Sequence, residues 1–406
     1  MEPPASDTSR ERAARAVDRS RIADIDAQIS ELERTINSLK EEKDSLRDRL
    51  DTYTYPVLTL PNEIVSEIFV QFLPDFPRYP PPVGLLSPYL LCQICRKWRD
   101  IAFSTPALWS VISLSFRKAG RVPQKLRYLQ TSIKRSGSCR LSLKLETSYS
   151  LDQEYLAELN HVFINHFHRM EYLDLSWPGF EFPTDAGLSL PFLRGLKLGY
   201  PIEDLSIEEL TTPLVAPLLQ HVVLRTLDVL PSSIFLLSQL TSITVKWIRL
   251  DEYSCLMNEL VNVVHCRLGM YATGNPSLGD ITLAHLETFI LEYRSSYPAP
   301  SGVIATLTLP ALRRFQIPEI LFPTEDDLVG SITALVTRSG CDLRELSIPD
   351  AQTAHVTVYQ DAFPSTSLVF SPLDITKAFL IDWEDELEDA ESSDSDAESE
   401  STDSED

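Results

Sequence analysis

The chain contains no run of 18 apolar residues, so no segment reads as a membrane-spanning helix. Its first residues, with Glu2, Asp7, Arg10, Glu11 and Arg12, lack the apolar stretch of a secretory signal. Cysteine is scarce, with 6 in 406 residues and no dense framework, which fits reduced thiols and an expected location in cytosol, nucleus or both. Cys92 and Cys95 have the CxxC spacing but no second pair to complete a zinc site. They lie on an apolar helical face, which favours core packing over a metal or redox role. A phosphate-binding glycine loop, a nucleophile elbow, an HExxH helix and a dinucleotide fingerprint are all missing. His161, His166 and His168, at spacings of five and two, do not share one helix face as a metal trio. The expectation is a non-enzyme without catalytic residue, cofactor or metal.

Charge is missing in a patterned way. Between Ile101 and Leu145 there is no Asp or Glu, while Arg117, Lys118, Arg121, Lys125, Arg127, Lys134, Arg135, Arg140 and Lys144 are present. This patch suits phosphorylated protein, the chain's own acidic tail, or simply a basic helix covering the next domain. Nucleic acid is disfavoured by the acidic sequence pI of about 4.7 and the lack of a nucleic-acid motif. From Glu384 to Asp406 the reverse holds: 13 acidic residues and no basic one account for more than half of the net charge of −23. Such a block stays solvated. Ser393, Ser395 and Thr402 each have an acid three positions later, resembling sites for acidophilic kinases of the casein-kinase type.

A heptad pattern is present near the start. Ile22, Ile29, Ile36, Lys43 and Leu50 take one position, and Ile25, Leu32, Leu39, Leu46 and Tyr53 the other. Isoleucine at a with leucine at most d positions favours a parallel two-stranded coil, so residues 22–53 are expected to form a homodimer. A single helix folded back on its own domain is the competing reading. Pro56 closes the pattern.

Three short segments then occur in order: Leu60-Pro61-Asn62-Glu63-Ile64 through Ile68-Phe69, then Ile94-Cys95-Arg96-Lys97-Trp98-Arg99, and finally Thr105-Pro106-Ala107-Leu108-Trp109. Ile64, Val65, Ile68, Phe69 and Phe72 recur at helical spacing after Pro61, and Pro74 ends that helix. Leu90, Leu91, Ile94, Cys95, Trp98, Ile101 and Ala102 make the stripe of a second helix, and Thr105-Pro106 reads as an N-cap followed by proline at N1. These residues together resemble an F-box over 57–115, with a longer proline-rich connection (Pro74 to Pro88) than is usual. The resemblance implies docking on a Skp-type adaptor, and through it a cullin. The implied adaptor-binding residues are Leu60, Pro61, Ile64, Ile68, Phe69, Leu90, Ile94 and Trp98.

Beyond residue 139 the pattern apolar-x-x-apolar-x-apolar repeats eight times, ending at Leu175, Leu198, Leu224, Val245, Leu268, Leu291, Ile317 and Ile348. Successive ends are 23, 26, 21, 23, 23, 26 and 31 residues apart, which resembles leucine-rich repeats, with a strand at Leu141/Leu143/Leu145 capping the start. The repeats are irregular, since the usual asparagine is missing and prolines follow several strands. A non-repeat α/β domain is the alternative. Strand alternation puts Tyr172, Asp174, Lys197, His221, Arg225, Lys246, His265, Arg267, Glu292, Arg314 and Gln316 on the face away from the leucines. Two residues past the cores, Trp177, Tyr200, Thr226, Trp247, Met270 and Tyr293, followed by Glu319 and Asp350, would align as a rim that either contacts the target or simply packs under the loops leaving each strand. Trp177, Lys197, Tyr200, Trp247, Arg267 and Tyr293 are the candidate target-binding residues.

The expected fold class is an α-helical N-terminal part, a long coiled-coil helix plus F-box helices, followed by an α/β leucine-rich-repeat-like solenoid of short parallel strands. The domains expected are a disordered start (1–14), coiled coil (15–54), F-box (57–115), basic linker helix (116–138), repeat domain (139–383) and acidic disordered tail (384–406). The expected function is a non-catalytic substrate receptor of a Skp/cullin/F-box ubiquitin ligase. Its alternative is a ligase-independent interaction scaffold. Neither a membrane nor a nucleic acid is an expected partner, and the protein target is unidentified.

Overall fold

The computed structural model describes residues 7–52, 59–74, 78–116, 121–147, 152–176, 189–199, 215–226, 236–270, 279–293, 302–322, 325–349, 351–352 and 355–373. The chain divides into two compact units at Val65/Ser66.

The first unit is dominated by helix α1, Asp7–Thr52, whose 46 residues at about 1.5 Å each span roughly 69 Å. Helix therefore replaces the expected disorder over 7–14. The segment Glu11-Arg12-Ala13-Ala14-Arg15-Ala16 favours helix, and extending an existing helix avoids the cost of nucleation. Ile22, Ile25, Ile29, Leu32, Ile36, Leu39, Leu46 and Leu50 are all exposed on it. Tyr53 and Pro56 lie outside the described residues. Helix α2, Asn62–Phe72, starts after Pro61, whose carbonyl accepts the Val65 N–H at 3.1 Å. Pro61 thus precedes the helix instead of occupying its first turn.

In the second unit the expected single helix over 90–102 is two helices, α3 (Pro88–Ile94) and α4 (Arg96–Phe103). Cys95 is extended between them (φ −156°, ψ 170°), and its Sγ accepts the Trp98 N–H at 3.4 Å, capping α4. The Arg99 guanidinium crosses the break and donates to the Cys92 carbonyl at 2.8 Å. Periodicity could not see this, because the break conserves the spacing of the apolar side chains. Pro106–Trp109 is a 3₁₀ turn. Thr105 does not cap it. Its hydroxyl turns back to the Ile101 carbonyl at 2.8 Å and to Ser66 Oγ at 3.0 Å.

The remaining elements are β1 (Val111–Ser115), α5 (Val122–Arg135), β2 (Leu141–Glu146), α6 (Gln153–His166), β3 (Met170–Ser176), β4 (Gly195–Leu198), β5 (His221–Thr226), β6 (Ser242–Ile248), α7 (Leu250–Glu259) and β7 (His265–Met270). They continue with β8 (Ile281–Thr282), β9 (Thr288–Tyr293), β10 (Leu307–Thr308), β11 (Arg314–Gln316), α8 (Glu325–Ser339), β12 (Glu345–Ser347), α9 (Val356–Ala362) and β13 (Ser367–Val369). Strands β1, β2, β3, β4, β5, β6, β7, β9, β11, β12 and β13 pair in that order into one sheet, parallel throughout. β8 and β10 form a separate parallel pair.

Each apolar triplet found in the sequence supplies one of these strands. The sheet nevertheless begins a strand earlier than Leu141, because residues 111–115, expected inside the F-box, form its edge. It also extends one strand past the last triplet, to β13. Ile112, Leu143, Leu173, Leu196, Val222, Ile243, Cys266, Phe289, Phe315 and Leu346 face one another in register and are all buried. Leu126, Leu129, Phe163, Leu256 and Leu335 from α5 to α8 close over the same core. Each such side chain contributes about 1.5–3 kcal/mol of burial.

Gly269 marks a close approach of backbones. A Cβ there would lie 2.0 Å from the Lys246 carbonyl oxygen, next to the register shift between Val245 and Ile248 in β6.

Candidate interaction surfaces

The segment 60–109 divides its apolar residues between two environments. Val65 and Phe69 are buried on α2, while Ile64 and Ile68, at the adjacent helical positions, are 50% and 47% exposed. Phe69 meets Trp98 edge-on at a ring separation of 4.9 Å. Phe69 is therefore a core residue and is withdrawn from the expected adaptor-binding set, because its ring is already covered. Pro61 and Ile94 are exposed, and Leu60, Leu90 and Trp98 are half-buried. Sequence reading missed Phe103 on α4 and, in the preceding loop, Val83, Leu85 and Leu86, all of them exposed. Leu86 adopts a positive φ of 64°, which is strained for a side chain bearing Cβ.

Behind this surface the helices are anchored by Trp109 and Arg135. Trp109 Nε1 donates to the Ala102 carbonyl at 2.8 Å, and Tyr89 packs edge-on against the indole at 5.0 Å. The Arg135 guanidinium from α5 lies 3.9 Å from the Phe103 ring centre and 4.6 Å from that of Trp109, and donates to the Tyr89 hydroxyl at 3.2 Å. This cation is thus spent inside the fold. Arg127 and Lys134 on α5, and Arg121 at its N-cap, remain exposed. Cys92 is buried, its Sγ donates to the Pro88 carbonyl, and burial pushes its thiol pKa up against the lowering pull of Arg135 and Arg99. Cys92 behaves as packing.

The second surface is the sheet face turned away from the leucines. One row across it runs Ser113, Lys144, Asp174, Lys197, Val223, Thr244, Arg267, Ile290, Gln316, Ser347 and Val369 in direct register. An open face was expected, but Lys197 is 2% exposed and Arg267 7%. Lys197 Nζ pairs with Asp174 Oδ2 at 3.3 Å, and Arg267 with Glu292 Oε1 at 2.6 Å. Both are corrected from candidate target-binding residues to internal ion-pair members, since alternation assigns a face but not what covers it. Val223 and Ile290 in the same row are also buried. Their sequence signal was present in Val222-Val223-Leu224 and Phe289-Ile290-Leu291, where uninterrupted apolar residues mark strands covered on both sides.

The rim is broken as well. Thr226 pairs with Trp247, but the shift in β6 sets Ile248 opposite Met270, and Met270 is buried. Trp247 and Tyr293 are half-buried, while Trp177 and Tyr200 lie outside the described residues. Along the face, burial lowers the pKa of His221 and His265; His265 adds to the effect on His221, and Glu287 partly opposes it on His265.

Among the described residues no group of three or more His, Cys, Asp or Glu is placed to hold a metal, and no helix is long and apolar enough to cross a membrane. No protein-family model matches the chain, and no curated protein resembles it closely enough to count as a match.

Proposed function

We propose that this chain is a non-catalytic substrate receptor of a Skp/cullin/F-box ubiquitin ligase. The observation that carries the reading is the split of apolar residues on α2, where Val65 and Phe69 turn inward and Ile64 and Ile68 stay in solvent. Exposed isoleucines on a helix stabilised from behind are the kind of surface a helical adaptor covers. The proposed adaptor-contacting residues are Leu60, Pro61 and Ile64 in the first unit and, taken by themselves, Ile68, Ile94 and Trp98 in the second. The parallel sheet, with one strand per apolar triplet, is the core of an irregular leucine-rich-repeat solenoid that selects the protein target. Ubiquitin transfer is performed by other subunits, and this chain supplies proximity. The exposed heptad residues of α1 make it a dimer in cytosol or nucleus.

The test is a binding measurement between purified Skp-type adaptor and the full chain, wild type against Ile64→Asp and Ile68→Asp. Each substitution forfeits about 1.5–3 kcal/mol of apolar burial at an interface, and at least tenfold weaker adaptor binding by folded variants is expected. A wild-type chain that ignores the adaptor overturns the reading. The exposed stripe of α1 would then favour a ligase-independent scaffold joined through its coil.

A further inference from the structure

The heptad stripe of helix α1, in the first unit, is bordered by charges that form a pattern of their own. When two such helices run parallel and in register, each g residue stands across the seam from the e residue of the partner's next heptad. Arg21 then meets the partner's Asp26, and Glu42 meets the partner's Arg47. The two g positions between, Gln28 and Thr35, are uncharged, so no like charges meet along the flanks. All six of these side chains are exposed, and the contact of Arg47 with Asp44 in its own helix, at 3.7 Å in solvent, is weak. Other arrangements fare worse. Fully overlapping antiparallel helices gain Asp26 opposite the partner's Arg47 and Glu33 opposite the partner's Lys40, but they set Arg21 against the partner's Arg49. Sliding parallel helices by one heptad sets Arg21 against the partner's Arg19 and Arg49 against the partner's Arg47. The slide also places Lys43 opposite an apolar side chain, the partner's Ile36 or the partner's Leu50. In register it faces the partner's Lys43, with the partner's Glu42 beside it to offset the repulsion.

We propose that α1 selects a second copy of itself, parallel and in register, and that the interchain pairs of Arg21 with the partner's Asp26 and of Glu42 with the partner's Arg47 make the selection. The apolar stripe supplies the affinity but accepts many partners, whereas the flanking charges reject a reversed or shifted copy and any helix without the complementary pattern. This rests on the dimer reading given above and adds to it what chooses the partner and fixes the direction. Parallel pairing brings both copies of Thr52 to one end of the coil, with helix axes about 8–10 Å apart. Both chains leave the coil at that end, so a dimer offers two adaptor contacts, a consequence that rests on the receptor reading.

Two full-length variants, Glu42→Arg and Arg47→Glu, test the selection without adaptor or target. They are co-expressed, one of them with a mass tag, and the dimers are counted by native mass spectrometry. Either variant paired with itself sets like charges across the seam, while the mixed dimer restores both attractive pairs. The mixed dimer is expected at about five times the abundance of either self-pair or more, against the roughly twofold excess of random pairing. Random pairing in a wild-type chain that is dimeric overturns the proposal and leaves the dimer reading standing. Antiparallel helices give that result, because residue 42 then lies near the partner's Gln28 and residue 47 near the partner's Asp26, where mixing gains nothing over the mean of the two self-pairs. A wild-type chain that sediments as a monomer at micromolar concentration, or as an assembly larger than a dimer, overturns both.

Discussion

Lys197 and Asp174 face each other on neighbouring strands, ammonium to carboxylate at 3.3 Å, with side chains only 3% and 5% exposed. A buried pair of this kind is costly to break on one side, because the remaining charge stays in a poor dielectric without its counter-ion. Lys197→Met is expected to lower the unfolding free energy by about 3–5 kcal/mol. Replacing both partners, Lys197→Met with Asp174→Leu, should cost markedly less than the single change. Urea unfolding of the two variants measures the difference.

Arg135 is surrounded by aromatic faces, at 3.9 Å from Phe103, 4.6 Å from Trp109 and 5.6 Å from Tyr89. A partly desolvated cation on such rings is worth about 1–2 kcal/mol, and its long stem adds packing. Arg135→Ala should therefore lower the melting temperature by several degrees, and Arg135→Lys by less. Tryptophan fluorescence, to which Trp98 and Trp109 contribute two of the chain's five indoles, should shift with it.

His221 and His265 have pKa values pushed below the ordinary 6.5, chiefly by burial. The unfolded chain then takes up these protons more readily than the folded one, so the stability from keeping both rings neutral is complete above pH 6.5 and declines as pH falls through the lowered values. Melting temperature should drop between pH 7.5 and pH 5. His221→Gln with His265→Gln should flatten that part of the profile.

Helix α1 exposes Ile29 at 47% and Ile36 at 50%. If the heptad stripe is a dimer seam, Ile29→Lys with Ile36→Lys should convert the sedimenting species from dimer to monomer at micromolar concentration. Helicity measured by circular dichroism should fall at the same time, because an isolated helix of this composition loses its main support.

Much of the architecture was legible in the residues themselves. The triplets ending at Leu175, Leu198, Leu224, Val245, Leu268, Leu291, Ile317 and Ile348 each identify a strand, because alternate leucines must share a face and that face must be buried. The heptad stripe identified α1 for the analogous reason at helical period. Tertiary structure decided what periodicity does not encode. A helix break at Cys95 leaves the apolar spacing intact, so only the capping bond of its Sγ and the Arg99 bond to Cys92 reveal it. Burial separated Phe69 from Ile68, neighbours in sequence whose side chains point to opposite environments. The ion pairs of Lys197 and Arg267 could not be foreseen from alternation, which places a side chain on a face but is silent on the strand beside it. Local sequence sets the period of each element, whereas register and coverage arise from contacts between residues far apart in the chain, and those belong to the fold as a whole.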